Sequence, residues 1–249
     1  MNKQQLIGSQ TAKGGFANEK DIVSKLNNWE KDFDAQKWLV IMNYKLDEIE
    51  SVKAIILHGY KADANVQITV KLKTAIDVEN ISVKLVSNPK GFNQIDKRPV
   101  NTYKTKLNWN MSNDVLYILK RFTGELKPTI QNPRDKRRMF IDEFTEYERK
   151  QLFKFIKDNK ALILNDILRG RGEFTAEWML VAQKVNSDAR WVLKNINEVI
   201  NYYSGEIKIS PRGSINIGKI LVQRKGGTPD PTSLQFKINP AELFDINDK

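Results

Sequence analysis

The chain has 249 residues, 40% of them apolar, and a formal net charge of +11 from 41 basic and 30 acidic side chains. The absence of cysteine excludes disulfides and thiolate metal sites and fits the reducing cytoplasm, and the single histidine excludes a multi-histidine metal centre. No stretch approaches the roughly 20 apolar residues that span a membrane, and the polar first 15 residues lack the apolar segment of a secretory signal.

The positive charge favours a polyanionic partner, with nucleic acid ahead of an anionic membrane surface. The alternative is a solvated basic surface that only keeps the protein soluble. The length allows one large domain or two small ones.

A first helix is predicted to begin near Asn18, which can cap it, because apolar residues then recur at helical spacing as far as Phe33. The next apolar cluster, residues 38–42, is either a short helix or the end of the first.

Three strands are predicted next, at residues 52–57, 65–72 and 81–86. The third alternates between apolar and polar residues, so Ser82 and Lys84 share the face that points away from the core. A hairpin with a longer loop at 73–80 would bring Asp63, at the head of one strand, near Lys84.

Asp63, eighteen intervening residues and then Ser82-Val83-Lys84 form a candidate phosphodiesterase site. A carboxylate can hold a divalent cation, and an ammonium can orient the attacking water and offset charge on the phosphate. The spacing alone is common, and two rival sets start at Asp142 and Asp188. Only the Asp63 set has a strand, a turn and a second strand around it.

The segment from Lys84 to Lys106 is rich in basic residues, and its loop at 88–94 mixes amides with one aromatic side chain. Phe92 can act there as a stacking wedge and Gln94 as a base reader. The alternative is a surface loop whose Phe92 packs onto the core.

The rest of the chain alternates in type. Helices are predicted at 114–122, 145–159 and 160–168, a strand or buried helix at 178–182, a helix capped near Ser187 at 189–203, and strands at 206–210, 214–223 and 233–238. Arg169 and Arg171 flank Gly170 in a turn, and the last strands are basic. Such arginines read guanine or, more often, hold phosphates.

Many stretches together resemble the HinP-type restriction endonucleases, type II enzymes of the PD-(D/E)XK superfamily that cut GCGC. The resemblance covers nearly the whole chain, and its clearest segments are Phe16-x-Asn18-Glu19-Lys20-Asp21-Ile22, Val83-Lys84-Leu85-Val86-Ser87-Asn88, Gly91-Phe92-Asn93-Gln94-Ile95-Asp96-Lys97, Asp166-Ile167-Leu168-Arg169-Gly170-Arg171-Gly172, Ser210-Pro211-Arg212-Gly213-Ser214-Ile215-Asn216 and Gln223-Arg224-Lys225-Gly226-Gly227.

The resemblance implies an α/β (α+β) fold, with a nuclease core whose mixed central sheet is flanked by helices. One restriction-endonuclease domain would span 1–249, with the catalytic core at about 15–125 and a helix-and-strand extension at about 126–249. The enzyme would hydrolyse both strands of double-stranded DNA at a short palindrome, GCGC, after its first G. A cognate methyltransferase would act on the same site, and a homodimer stays open.

The resemblance also implies the site. Mg²⁺ would be held by Asp63, the Val83 carbonyl and Glu19, and Lys84 would position the water. The family has Ser-Asp and Gln-x-Lys where this chain has Ala62-Asp63 and Ser82-Val83-Lys84, and the Ser82 hydroxyl is a weak magnesium ligand. The DNA-binding residues would be Phe92, Asn93, Gln94, Lys97, Arg169, Arg171, Arg212, Arg224 and Lys225.

Two other functions fit these departures. One is a DNA-binding protein that keeps the fold and has lost its chemistry at Ala62 and Ser82. The other is a repair or junction-resolving nuclease that selects DNA structure and not a fixed sequence.

Overall fold

A computed structural model describes residues 3–57, 65–185, 188–226 and 232–246, with the backbone alone described for 3–12 and 188. Two compact units make up the chain, and each is assembled from separated segments. The first comprises Met1–Gly91, Arg169–Val199 and Asn239–Lys249, and the second comprises Phe92–Leu168 and Ile200–Ile238. The single nuclease domain that the sequence suggests stays a prediction.

The first unit is built on a mixed five-stranded sheet in the order β1-β2-β3-β5-β6. Only the β3–β5 pair is parallel. Its strands are β1 (Ile49–Ile56), β2 (Val66–Leu72), β3 (Ile76–Val86), β5 (Trp178–Val185) and β6 (Asp188–Asn195). The predicted mixed central sheet with flanking helices is confirmed.

Two helices, α1 (Lys3–Asn27) and α2 (Phe33–Ile41), cover one face of this sheet. Ile22 and Leu26 of α1 are fully buried in a core that they share with Ile81 and Val83 of β3. Burial of such side chains contributes roughly 1.5–3 kcal/mol each, which is what fixes the helices on the strands. A short 3₁₀ helix, Pro240–Asp245, also packs against β3, β5 and β6.

The start predicted for the first helix is wrong. Asn18 lies inside α1 and is 2% exposed, and neither polar atom of its amide has a hydrogen-bond partner among the described residues. Two consecutive glycines do not end the helix. At the first of them, Gly14, the helix comes close to β3, since a side-chain carbon there would lie 3.5 Å from Leu85 Cδ2.

The predicted helix at 189–203 is also wrong. Residues Asp188–Asn195 form β6, which pairs with β5 along its whole length, and only Ile196–Tyr203 are helical, as α7. The apolar residues of this segment alternate as in a strand, but some of them also fit a helical spacing. Leu193 is buried in the core and Trp191 packs against it, two residues apart on the same face of the strand.

The second unit carries an antiparallel sheet in the order β4-β10-β9-β8-β7. Its strands are β4 (Asn93–Arg98), β7 (Ile207–Ile209), β8 (Ile215–Ile217), β9 (Ile220–Arg224) and β10 (Leu234–Ile238). Its helices are α3 (Val100–Thr105), α4 (Asn113–Thr123), α5 (Glu146–Asp158) and α6 (Lys160–Leu164). An aromatic cluster of Tyr103, Trp109 and Phe236 lies in the core, with the first two rings stacked at 4.4 Å.

Two predictions from local sequence, the end of α4 and the start of α5, are confirmed in the second unit. Gly124 ends α4 with φ of 84°, a conformation that costs other residues roughly 1–2 kcal/mol. Thr145 and Glu148 form the predicted capping box of α5. The sequence patterns predict neither β4 nor α3. They predict a loop at Asn93 and Gln94, but these residues begin β4, because β10 supplies the hydrogen-bonding edge.

Candidate active site

The segment Ser82-Val83-Lys84 lies in β3, between β2 and β5. Ile81 and Val83 face the core under α1 and α2, so Ser82 and Lys84 share the opposite face, as the alternation predicted. On that face Ser82 is paired in register with Met179, and Lys84 with Val181. Lys84 is half-buried, but Ser82 is only 2% exposed. A hydroxyl buried to this extent has little room to act as an open metal ligand.

Asn65 joins this segment to the start of β2, and sequence reasoning did not find it. Its Oδ1 accepts a hydrogen bond from the Val83 N–H at 2.9 Å, and its own N–H donates to the Ile81 carbonyl at 2.8 Å. The Asn65 carbonyl accepts from the Leu57 N–H at 3.0 Å. One residue therefore fixes β2, β3 and the chain that leaves β1. The only sequence signal was its position, two residues after Asp63.

The Val83 carbonyl points to the same edge of β3 as the Val83 N–H, because both groups of one strand residue face the same neighbour. That neighbour is Asn65 at the start of β2. A backbone carbonyl is an oxygen donor of the kind that hard cations prefer, so the donor fits magnesium. Asp63 and Ala62, the other predicted residues of this edge, lie outside the described residues.

Glu19 lies in the interior of α1 and is half-buried. α1 covers the sheet face of Ile81 and Val83, so the helix that carries Glu19 and the pair Ser82 and Lys84 belong to opposite faces of β3. The role of Glu19 as a metal ligand stays a prediction.

The two carboxylates near Ser82 in the chain and in the sheet, Glu79 and Glu177, accept hydrogen bonds from other residues of the protein. Glu79 accepts hydrogen bonds from the Tyr44 hydroxyl and from Trp178 Nε1, both at 2.9 Å. Burial, and next the charge of Glu177, raise the pKa of Glu79. Glu177 in turn accepts from the Asn80 N–H at 3.1 Å. In the described part of the chain no three acidic or histidine side chains come together as a metal site.

Arg169 and Arg171 belong to the first unit. Arg169 Nη2 donates to Asn197 Oδ1 at 2.6 Å, and the Arg169 carbonyl accepts from the Ala176 N–H at 2.8 Å, so this arginine shapes the turn. Arg171 is exposed between Gly170 and Gly172, whose φ angles are 86° and 94°. Of the two, Arg171 is the better placed to meet a ligand.

The other predicted DNA-binding residues belong to the second unit. Phe92 is 49% exposed, so this ring is not a core residue. Gln94 is exposed in β4, while Asn93 and Lys97 are half-buried in the same strand. Arg212 is exposed, whereas Lys225 is half-buried and its N–H donates to the Ser233 carbonyl at 2.8 Å.

A row of three glutamine side chains crosses the second sheet. Gln223 Nε2 donates to Gln235 Oε1 at 3.2 Å, and Gln235 Nε2 donates to Gln94 Oε1 at 2.6 Å. Lys97 is the register partner of Gln235, and Lys237 is the register partner of Gln94. Burial lowers the pKa of Lys237. Sequence reasoning found Gln94 but missed its partners, because they lie about 130 to 140 residues further along the chain.

Arginines crowd together around Asp135 in the second unit. Arg137 binds this carboxylate through Nε and Nη2, both at 2.9 Å. Burial, and then the charge of Arg137, lower the pKa of Arg224, while burial and then Arg224 lower the pKa of Arg138. Guanidinium groups that repel one another in this way are stabilised by a bound anion. Arg137 and Arg138 were not among the predicted site residues.

We expect Asp135→Asn to lower the free energy of unfolding by about 1 kcal/mol at pH 7, a value reduced because Arg137 is largely exposed. The hydrogen bond from Arg137 lowers the pKa of Asp135 to about 2 from 3.8. A depressed carboxylate pKa gives stability that is present above pH 3.8 and is lost as the pH falls through about 2. Urea unfolding from pH 7 to pH 2 should show the two proteins converging in acid, and a constant gap would contradict the assignment.

The fold is that of a restriction endonuclease: the solved structure of restriction endonuclease MspI in complex with its cognate DNA matches with a TM-score of 0.67 over 95% of this chain and 93% of that chain, at 14% identity. The sequence profile of the R.HinP1I restriction endonuclease family matches residues 42–244, and the chain belongs to that family. It is thus a type II site-specific deoxyribonuclease by class. No curated protein sequence matches the chain.

The family match confirms the resemblance drawn from the sequence. It covers β1 to β10 and so includes Ser82, Val83, Lys84 and every predicted DNA-binding residue, but it starts after Glu19. None of the helices in the described ranges is long and apolar enough to cross a membrane.

Proposed function

We propose that this chain is a Mg²⁺-dependent restriction endonuclease of the PD-(D/E)XK type that hydrolyses both strands of double-stranded DNA at GCGC. The observation that carries the proposal is the Ser82-Val83-Lys84 segment of β3, tied by Asn65 to the strand that directly follows Asp63. The family match supports the reaction class, and the resemblance noted in the sequence supports the recognised tetranucleotide.

Asp63 and the Val83 carbonyl would hold the magnesium ion, and Glu19, carried by the helix on the other face of β3 from Lys84, would be a further ligand at the edge of the strand. When bound, the ion supplies positive charge that offsets the negative charge developing on the phosphate. Lys84 is proposed to position the water for attack opposite the leaving 3′ oxygen and to donate hydrogen bonds to a non-bridging phosphate oxygen. Asn65 keeps Val83 and the start of β2 in register, so the Val83 carbonyl is in place before DNA arrives.

The second unit would supply contacts to DNA. Its arginine group around Asp135, which includes Arg224, is suited to phosphates, since guanidinium groups pair with phosphate oxygens in a fixed planar geometry. Phe92 would unstack or bend the duplex as an exposed wedge, with Gln94 at a base edge. Arg171 and Arg212 would add phosphate or guanine contacts. We propose action in the cytoplasm, protection of the host site by a methyltransferase, and a homodimer as one form of the active unit.

The test is digestion of DNA of known sequence by the purified protein. Unmethylated plasmid with Mg²⁺ should give discrete fragments that end at GCGC, and the same plasmid methylated at that site should stay intact. Random fragments, or cutting only at junctions and mismatches, would contradict the proposal. Addition of EDTA should stop cleavage.

One observation favours a second candidate, a DNA-binding protein without catalysis. Ser82 stands where the family has glutamine and is buried, so this position contributes at most a short and enclosed hydroxyl. A protein that binds GCGC duplexes but leaves them intact under all divalent cations would support this reading.

The two candidates differ in their prediction for Ser82. If the protein is an active nuclease, Ser82→Ala should keep cleavage within about threefold, because a neutral hydroxyl adds little to a magnesium site. If the site has decayed, Ser82→Gln should restore cutting to an inert protein, although the longer side chain in a buried position costs roughly 1–3 kcal/mol. Single-turnover cleavage and urea unfolding of both variants separate the effect on chemistry from the effect on folding.

A further inference from the structure

The glutamine row has a direction. Each amide nitrogen donates to the next amide oxygen, from Gln223 through Gln235 to Gln94. An amide carries one acceptor group and one donor group, so a bond at one end decides which end is left for another molecule. Because the Gln94 oxygen is engaged by Gln235, the Gln94 nitrogen is the group that remains without a partner among the described residues.

Exposure divides the row into two parts. Gln94 is exposed, whereas Gln235 is only 7% exposed and has both ends of its amide bonded. Gln235 is therefore enclosed and cannot itself reach a large ligand. Gln235 can therefore affect binding only through its hydrogen bond to Gln94.

We propose that Gln235 is a positioning residue that holds the Gln94 amide with its NH₂ group outward, so that Gln94 selects guanine over adenine at one position of the recognised site. This rests on the proposed function, in which Gln94 meets a base edge. Guanine presents two acceptors, N7 and O6, in the major groove, whereas adenine presents the N6 donor beside N7. A glutamine normally pairs with adenine through both its oxygen and its nitrogen, and the engaged oxygen disfavours that pairing here.

The test compares Gln235→Glu with Gln235→Met in cleavage and binding competitions between palindromic duplexes that carry guanine or adenine at one symmetric position. The glutamate in Gln235→Glu can only accept, so it should draw the Gln94 nitrogen inward and turn the Gln94 oxygen outward. We expect the guanine preference to fall at least tenfold and to move toward adenine. Gln235→Met removes both bonds without adding charge, and it should flatten the preference without reversing it.

Three controls keep the result specific. Asn216→Asp adds the same charge at a half-buried position on the same sheet, outside the row, and should weaken binding to all duplexes alike. In a Gln94→Leu background the Gln235→Glu change should alter no preference. A purely structural role for Gln235 predicts a uniform loss of cleavage with the preference unchanged, which would overturn the inference.

The outcomes also separate this inference from the proposed function. If the wild-type protein neither cuts nor prefers any duplex, the proposed function fails. If the wild-type protein cuts at a defined site and Gln235→Glu keeps the full guanine preference, only the role of Gln235 fails. A wild-type preference for adenine at every position that Gln94 affects would show that the row runs in the opposite direction.

Discussion

Lys84→Ala should reduce single-turnover cleavage at least a hundredfold with DNA and Mg²⁺ at saturation. Lys84 is the only lysine of β3, and removing one charged donor aimed at a developing negative charge typically costs a factor of 10² to 10³ in rate. Binding of the uncut duplex should change by less than about threefold, since one phosphate contact among many contributes little to affinity.

The matched control is Lys73→Ala. Lys73 is an exposed lysine in the turn between β2 and β3, so its loss removes one positive charge without touching the proposed site. Its cleavage rate should stay within twofold of wild type. If Lys84→Ala cuts at the wild-type rate, Lys84 takes no part in the reaction, and the assignment of β3 as the catalytic strand is wrong.

Asn65→Ala should produce the second large effect, and it should act on both stability and rate. The change leaves the Val83 N–H without its partner, at a cost of roughly 1–3 kcal/mol in the free energy of unfolding. It also frees the start of β2 from β3, and a displacement of about 1 Å in a catalytic group can cost a hundredfold in rate. We expect at least a tenfold fall in the single-turnover rate.

Two variants separate these two effects. Asn27→Ala removes a comparable bridge, in which Asn27 bonds both the N–H and the carbonyl of Ala54 at 2.7 and 3.1 Å, away from the Ser82 face of β3. It should destabilise the protein to a similar extent and leave the cleavage rate of the folded fraction unchanged. Asn65→Asp keeps an acceptor for Val83, so it should retain the stability that Asn65→Ala loses; equal losses would show that this hydrogen bond is not the cause.

The sequence was sufficient where local chemistry decides the structure. The alternation along β3 predicted the shared face of Ser82 and Lys84, the Thr145 capping box predicted the start of α5, and Gly124 predicted the end of α4. In each case the controlling contacts lie within a few residues of one another. The family resemblance is also confirmed, because it depends on the order of the residues alone and on no contact in the folded chain.

Prediction failed where a distant partner decides the structure. Residues 189–195 satisfy a helical spacing, but β5 offers them a strand edge to pair with, and strand pairing prevails. β4 is polar and has no strand signal of its own, yet β10 recruits it across about 140 residues. Asn65 and Gln235 could not be found as site residues for the same reason, because their significance comes from side-chain hydrogen bonds to residues of other strands.

The parallel pairing of β3 with β5 has a consequence for synthesis of the protein. β3 ends at Val86, and β5 begins about 90 residues later, at Trp178. During synthesis, the nascent chain therefore contains β3 before the strand that pairs with one of its edges has been made. Non-local pairings of this kind form slowly and late. An unfinished or prematurely terminated chain therefore lacks the neighbour of the proposed catalytic strand, so we expect a delay between translation of this endonuclease and the appearance of a competent one.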